Sequence, residues 1–471
     1  MTLMRTLNVS AGGLHVSQAG LQVVGNNIAN VDVDGYSRQR IEIEANDPVL
    51  LAYRPSLFGQ GASLTTVSRA NDDFLERQVQ RDQTEFGFFD GRAKTLDAAQ
   101  RLFGGDTSPD LGGMLDAFFN AARELSQEPD DVSARRSFIQ QADNIAQGFN
   151  VLDRDLRTVQ RGVDDALGDK LAEVNRLAKT IAEMNARIVS GELDERNAND
   201  FRDAREQSLR ELSRLVPVNP LPQPDGALTV ELQGGSLLVQ GDQAARLQGT
   251  PNALNQGLLD IEHVGINGQI TNLTAVLTSG EVGGLVDVRD NVLGQQLTAL
   301  DTLAFTFASA VNAQHAAGFG LDGLTGRALF LAPVPAPGTA ANLSIDPLIT
   351  GNPNFVAASQ TAITVPGDNR NMQAIANLQN LAQAGLGNVT FNRSYGQIVH
   401  QIGLAAEDNS IRRDVTQAKS EQSEKLRASV EGVSIDDEMI DLTRFQKHFE
   451  ANSRVVTTVN QLLDSILQLI R

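Results

Sequence analysis

From Val132 to Ile188 the sequence holds a single helical apolar pattern, longer than any compact domain accommodates. Phe138, Ile145, Phe149, Leu152, Leu156, Val159 and Val163 recur at steps of three, four and seven. Val174, Ile181, Met184 and Ile188 resume the stripe after a phase shift near Asp169. Such spacing repeats one face of an α-helix, and the shift has the form of a coiled-coil stutter. If continuous, the segment would reach roughly 85 Å at about 1.5 Å per residue. A helix of that length fits a rod, not a globule.

The two ends of the chain carry further stripes. From Phe445 the apolar positions follow a repeat of fours and threes through Phe449, Val456, Val459, Leu463, Ile466 and Ile470, with Asn452 in one seam position. This is a coiled-coil seam, where a lone Asn costs stability and selects register. Ser434, three residues before Asp437, predicts the helix start. At the other end Met4, Leu7, Ala11, Leu14, Leu21 and Ile28 mark a second amphipathic helix. Seven apolar seam residues contribute on the order of 10–20 kcal/mol if fully buried, at about 1.5–3 kcal/mol each. Alone in water such a helix is marginal, so the ends pair with each other in one chain or across many.

Between these ends the pattern alternates. Asp34-Gly35 signals a turn, and Arg40 to Glu44 alternates as a strand. Helices are expected over 71–103, after Pro109, and up to about Val216. Pro217, Pro220, Pro222 and Pro224 then break the pattern. Residues 217–284 read as a small β domain with hairpins at 228–239 and 258–277, the second around a type I′ turn at Asn267-Gly268. Helix resumes over 285–317. The stretch 318–369 reads as irregular chain with a few short strands. Helix returns at Ile375, Leu378 and Leu381, and again from Asn392 to Arg427 through Tyr395, Ile398, Ile402, Ile411 and Val415. Gly432 separates it from the last helix.

Composition narrows the chemistry. A net charge of −19 disfavours nucleic acid and anionic membranes as partners. No apolar run has the length to span a bilayer, and the segment after Arg5 lacks the continuous apolar core of a secretory signal. Without cysteine there is no disulfide, thiolate metal site or cysteine nucleophile. Such a chain suits transport in the unfolded state. Asn30, Asp32, Asp34 and Gly35 match half of a calcium loop, but Ile41 stands where a bidentate Glu is needed. Gly318, Gly320 and Gly323 match a dinucleotide fingerprint only in letters, because a helix precedes them instead of a strand. His15, His263, His315, His400 and His448 are scattered, and no catalytic constellation emerges. No cofactor and no enzymatic activity are expected.

Three motifs carry a resemblance. GNNIANVDVDGYSRQ at 25–39 after an amphipathic helix, with a matching last helix, is similar to the signature of the bacterial flagellar axial proteins (rod, hook and hook-associated). Gly35 to Gln39, Gly432 to Met439, and Ala310 to His315 followed by Gly318 and Asp322-Gly323 resemble the hook-associated branch at the hook–filament junction. The resemblance implies a secreted, non-enzymatic structural subunit of the flagellum, exported unfolded by the flagellar type III apparatus. It implies as partners copies of itself, the hook protein, a second junction protein on the filament side and a dedicated export chaperone at the C-terminal region. It also implies terminal helices that pair around a central channel and are largely disordered in the free monomer. A hook or distal-rod subunit is the alternative within the class. A secreted hydrolase or calcium-binding adhesin on an axial scaffold is the alternative outside it.

The expected fold is therefore mainly α with an inserted small β domain: an elongated helical-bundle rod with paired terminal coiled-coil helices. Residues 1–60 and 430–471 are expected to form the polymerisation core, 61–216 and 285–429 the rod, and 217–284 the insertion. The assembly interface is expected at Leu7, Leu14, Leu21, Asn26, Asn27, Ile28, Asn30, Gly35, Tyr36 and Arg38. On the last helix it is expected at Phe445, Phe449, Asn452, Val456, Val459, Leu463, Ile466 and Ile470.

Overall fold

A computed structural model describes residues 2–51, 54–103, 110–192, 198–333 and 338–469. Helix α1 (Thr2–Ala29) leads into a hairpin arm of β1 (Gln39–Ala45), β2 (Val49–Leu51), β3 (Arg54–Phe58) and β4 (Ala62–Arg69). β1 pairs antiparallel with β4, and β2 pairs with β3 beyond them. Helices α2 (Asp73–Phe103), α3 (Leu111–Gln127), α4 (Val132–Glu192) and α5 (Asn199–Leu215) follow.

The inserted sheets come next. They are built from β5 (Val218–Pro222), β6 (Leu228–Leu232), β7 (Leu237–Gln240), β8 (Gln243–Ala244), β9 (Arg246–Pro251), β10 (Leu259–Val264) and β11 (Ile270–Asn272). Their orders are β5-β6-β7-β8 and β11-β10-β9. Helix α6 (Gly280–Val286) passes through a π-helical turn at Asp287–Leu293 into α7 (Gly294–Ala317). Short α8 (Thr339–Asn342), α9 (Pro347–Gly351) and α10 (Arg370–Asn377) precede the long α11 (Phe391–Glu431) and α12 (Ile435–Leu469).

The 61 residues of α4 form one unbroken helix that spans two cores. Leu167 and Leu171 are buried and carry its stripe through the phase shift, so the stutter is a single extra step of four. The first core gathers Phe118, Phe138, Phe149, Phe307, Phe330 and Phe391, with the Phe307 ring 5.2 Å from Phe118 and 5.5 Å from Phe391. The second packs the later turns of α4 and α5 against β6, β7, β9 and β10. Arg289, fully buried in the π-helical turn, ties the sheets to α4: its guanidinium meets Asp164 at 2.5 Å and donates to Leu259 O at 2.8 Å.

Three expectations need correction. Residues 318–369 contain no named strand among those described. They form short helices and isolated bridges, Phe319 to Ser359 and Phe330 to Ile345. Side chains replace the ladder there: Asn312 Oδ1 accepts from Leu329 N and Phe330 N, and its Nδ2 donates to Phe330 O. The turn at Asn267-Gly268 is not type I′, which needs positive φ at both residues; only Gly268 has it. Ile411 and Val415 do not face the bundle but stand in solvent, and α11 instead buries Asn409, Thr416, Ser420 and Ser423 over its second half.

Candidate assembly interface

α1 and α12 lie antiparallel in one chain, in register by heptads. A β-carbon at Gly13 would stand 2.7 Å from Asn452 Nδ2, and one at Gly20 would stand 2.6 Å from the Phe445 ring. Asn27 Nδ2 donates to Glu438 Oε2 at 3.0 Å. Positions 13, 20 and 27 thus meet 452, 445 and 438. The backbones approach closely because α1 offers glycine where α12 offers its larger side chains.

The buried residues of α1 are Ser10, Val16, Ser17, Gly20, Val24 and Asn27. Leu7, Leu14, Leu21 and Ile28 lie beside it, half-buried. On α12, Phe445 and Val459 are buried, while Asn452, Val456 and Leu463 are half-buried. Phe449 and Ile466 are about two-fifths exposed, at 39% and 43%, and Ile470 lies outside the described residues. The Asn452 amide donates to His448 O in its own helix, so its part in register is steric contact with Gly13.

The segment 26–39 builds the root of this pair. Asn27 is buried, and its Oδ1 accepts from Gln39 N at 3.0 Å and Tyr36 Oη at 2.9 Å, while Nδ2 also donates to Gln39 O. Burial first, then Asp200 and Asp203, pushes the Tyr36 hydroxyl up to about 12, which keeps it a donor. Asn26 Nδ2 lies 3.5 Å from that hydroxyl, and Asn30 Nδ2 donates back to Asn26 O. Gly35 takes φ +81°, the left-handed region that closes the turn.

Arg38 joins α12 to the rod. Its Nε stands 2.6 Å from Glu438 Oε1, its Nη2 stands 3.4 Å from Asp441, and its backbone N–H donates to Glu431 O at 2.7 Å. The Glu431 carboxylate in turn accepts from Asp72 N and Arg427. Ser37 N and Gln39 Nε2 reach Asp203 and Asp200 at the start of α5, and Arg69 pairs with Asp203 and Glu206. The partners Glu431, Asp200 and Asp203 carry no local signal, because their role exists only across the fold. The small residues at 10, 13, 17 and 20 do carry one: they step by three and four along α1.

This arrangement positions two helices against each other and against the start of α5. Among the described residues no group of His, Asp or Glu is placed to hold a metal ion. His315 is fully buried in the first core, with Nδ1 on Arg327 O and Nε2 accepting from Ala357 N. Gly318 follows the end of α7, with no helix opening after Gly323.

The sequence matches three protein families. Residues 96–330 match the flagellar hook-associated protein FlgK helical domain. Residues 7–36 match the flagella basal body rod protein family, and 428–469 match the C-terminal family of the basal body rod FlgEFG proteins. Flagellar hook-associated protein 1 of Salmonella typhimurium is 27% identical over 552 positions, covering 98% of this chain and 99% of the relative. That of Bacillus subtilis is 25% identical over 501 positions, covering 98% and 97%. Both alignments exceed the 471 residues of this chain, so the relatives hold segments that it lacks. In fold the chain is similar to the flagellar hook junction protein FlgK of Burkholderia pseudomallei, with TM-score 0.66 and 17% identity, over 75% of this chain and all of that one.

Proposed function

This chain belongs to the flagellar hook-associated protein 1 family, and from that premise we infer that it is a structural subunit of the hook–filament junction that assembles through its terminal helices. The observation that carries this reading is the antiparallel pair of α1 and α12, rooted in the rod by Arg38. Both members of that pair fall in segments matched by axial-protein families, which support a common mode of assembly. The helical-domain match favours the junction over a hook or distal-rod subunit.

The finer reading follows from the family and the physics of the pair. The chain works outside the cell, exported unfolded, with a chaperone covering its C-terminal region until assembly. Its neighbours are copies of itself, the hook protein and a second junction protein toward the filament, and it carries out no catalysis. Residues 1–60 and 430–471 act in polymerisation, 61–216 and 285–429 form the rod, and 217–284 form the insertion. In the free chain the terminal pair is weak, because of its apolar side chains only Val16, Val24, Phe445 and Val459 are buried among the described residues, while Leu7, Leu14, Leu21, Ile28, Val456 and Leu463 stay half-buried.

Truncation before Ser434 tests the assignment in cells lacking the native chain. The expected product is a folded, soluble rod that fails to enter the flagellum. A truncated chain that still forms the junction overturns it.

A further inference from the structure

Glu76 is a buried carboxyl group at the point where α2, α5 and α11 meet, 5% exposed. From α5, Arg210 Nη1 reaches its Oε1 at 3.0 Å, and from α11, Arg427 Nη1 stands 3.7 Å from the same oxygen. Its Oε2 is buried and finds no hydrogen-bond partner in the protein. A charged oxygen held that way is costly, because charge taken out of water is tolerated only where it is fully bonded.

The neighbouring charges act in the same direction. Arg427 Nη1 also donates to Glu431 Oε2 at 3.1 Å, so one nitrogen serves two carboxyl groups, and its Nη2 is taken by Glu424 at 2.6 Å. From α5, Glu206 adds repulsion while pairing with Arg69 of β4. On α2 itself, Asp72, Asp73 and Arg77 lie within one turn. A cleft of about 410 Å³ opens beside Glu76, lined also by Arg205 and by the ion pair of Arg202 with Glu192. Burial first, then Glu206 and Glu431, push the Glu76 carboxyl up to about 7, against the opposite pull of Arg210 and Arg427.

The terminal helices are connected to this group through Glu431. Its side chain accepts from Asp72 N at 2.7 Å, and its backbone O accepts from Arg38 N at 2.7 Å. Arg38 Nε in turn stands 2.6 Å from Glu438 on α12. We propose that Glu76 is a proton-binding site that clamps the root of the terminal pair onto the rod. With the proton bound, Glu431 keeps Arg427 and holds Asp72 and Arg38. With the proton gone, a further negative charge stands beside Glu206 and Glu431, competes for Arg427 and loosens the bonds that Glu431 makes. The closed root favours the protonated form, so the clamp is complete below the ordinary value of 4.5 and is lost as pH rises through about 7. This is a local opening, distinct from melting of the two cores. It depends on contacts within one chain and so stands apart from the assembly reading.

Amide exchange on the full-length monomer reads the clamp at two reporters, the Asp72 and Arg38 N–H groups that Glu431 accepts. Their protection, corrected for the intrinsic exchange rate at each pH, is expected to fall roughly fourfold from pH 6.5 to pH 8, the linkage factor for a group that titrates near 7. Glu76→Gln, neutral at every pH, is expected to abolish that dependence. Equal protection of the parent chain at both pH values overturns the proposal. So does a Glu76→Gln chain that keeps the parent's full change, which is the result if Glu76 only fills space. Glu206→Gln gives a second test that does not need Glu76→Gln to fold, since Arg69 keeps Asp203 as a partner. With one repelling charge removed, the fall is expected at a lower pH than in the parent, and an unmoved midpoint overturns the proposal.

Discussion

Phe445 rests on the backbone of Gly20 so closely that a β-carbon there would stand 2.6 Å from Cδ1 and Cε1 of its ring. The helix pair is thus set by a notch and a knob. Gly20→Ala gains about 1 kcal/mol of helix propensity but forces the ring outward, at a cost of roughly 1–3 kcal/mol. Gly25→Ala in the same helix meets nothing within 4 Å and collects only the gain. Circular dichroism and amide exchange over α1 and α12 should show Gly25→Ala more protected than the parent chain and Gly20→Ala less.

The heptad register extends toward the start of α1. Gly13 with Asn452 and Gly20 with Phe445 place residue 6 opposite residue 459, where Val459 is buried. Thr6→Cys with Val459→Cys should form a disulfide under mild oxidation. Thr6→Cys with Asn452→Cys, one heptad out, should not. Equal yields would mean that the register is loose.

Arg38 holds the root of the pair. Its side chain is 12% exposed and that of Glu438 is 1% exposed, so Arg38→Met strands a buried carboxylate at a cost of about 3 kcal/mol. The loss falls on the attachment of the terminal helices, not on the rod. Limited proteolysis within 30–39 should accelerate, while the main melting transition stays in place.

His315 makes the rod acid-sensitive. Burial first, with Arg327 and Arg135 adding repulsion, lowers it from 6.5 to about 4. The folded state holds it neutral, so its contribution is present above pH 6.5 and is lost as pH falls toward 4. By pH 5 the loss is about 2 kcal/mol at 1.36 kcal/mol per unit. Thermal melts at pH 7.5 and pH 5 should show this drop, and a His315→Gln variant, less stable at neutral pH, should show a smaller one.

Periodicity alone exposes much of this fold. The stripes at 132–188, 71–103 and 111–125 predict helices whose buried faces contain Phe138, Leu96 and Phe118. The same reasoning misjudges α11, because Ile411 and Val415 look like core when only the helix is considered. Polar residues take the α2 side instead, where Asn409 finds a carbonyl and Arg427 finds Glu76 and Glu431. On α1 large side chains draw the eye to Leu7, Leu14 and Leu21, yet close helix contact runs through Gly13 and Gly20. Hydrophobic pattern reports burial by size, whereas close approach of two backbones rewards the absence of a side chain. Glu438, which meets both Arg38 and Asn27, lies about 400 residues away in sequence, beyond any local pattern.

Amide hydrogen exchange on the dilute full-length chain, compared with the same chain in isolated flagella, probes the terminal pair directly. The pair is expected to be weak alone and complete only among neighbours, so 2–29 and 435–469 should exchange rapidly in the monomer while α4 stays protected, and should become protected in the flagellum. Terminal helices as protected as α4 in the free monomer, and unchanged on assembly, would contradict it.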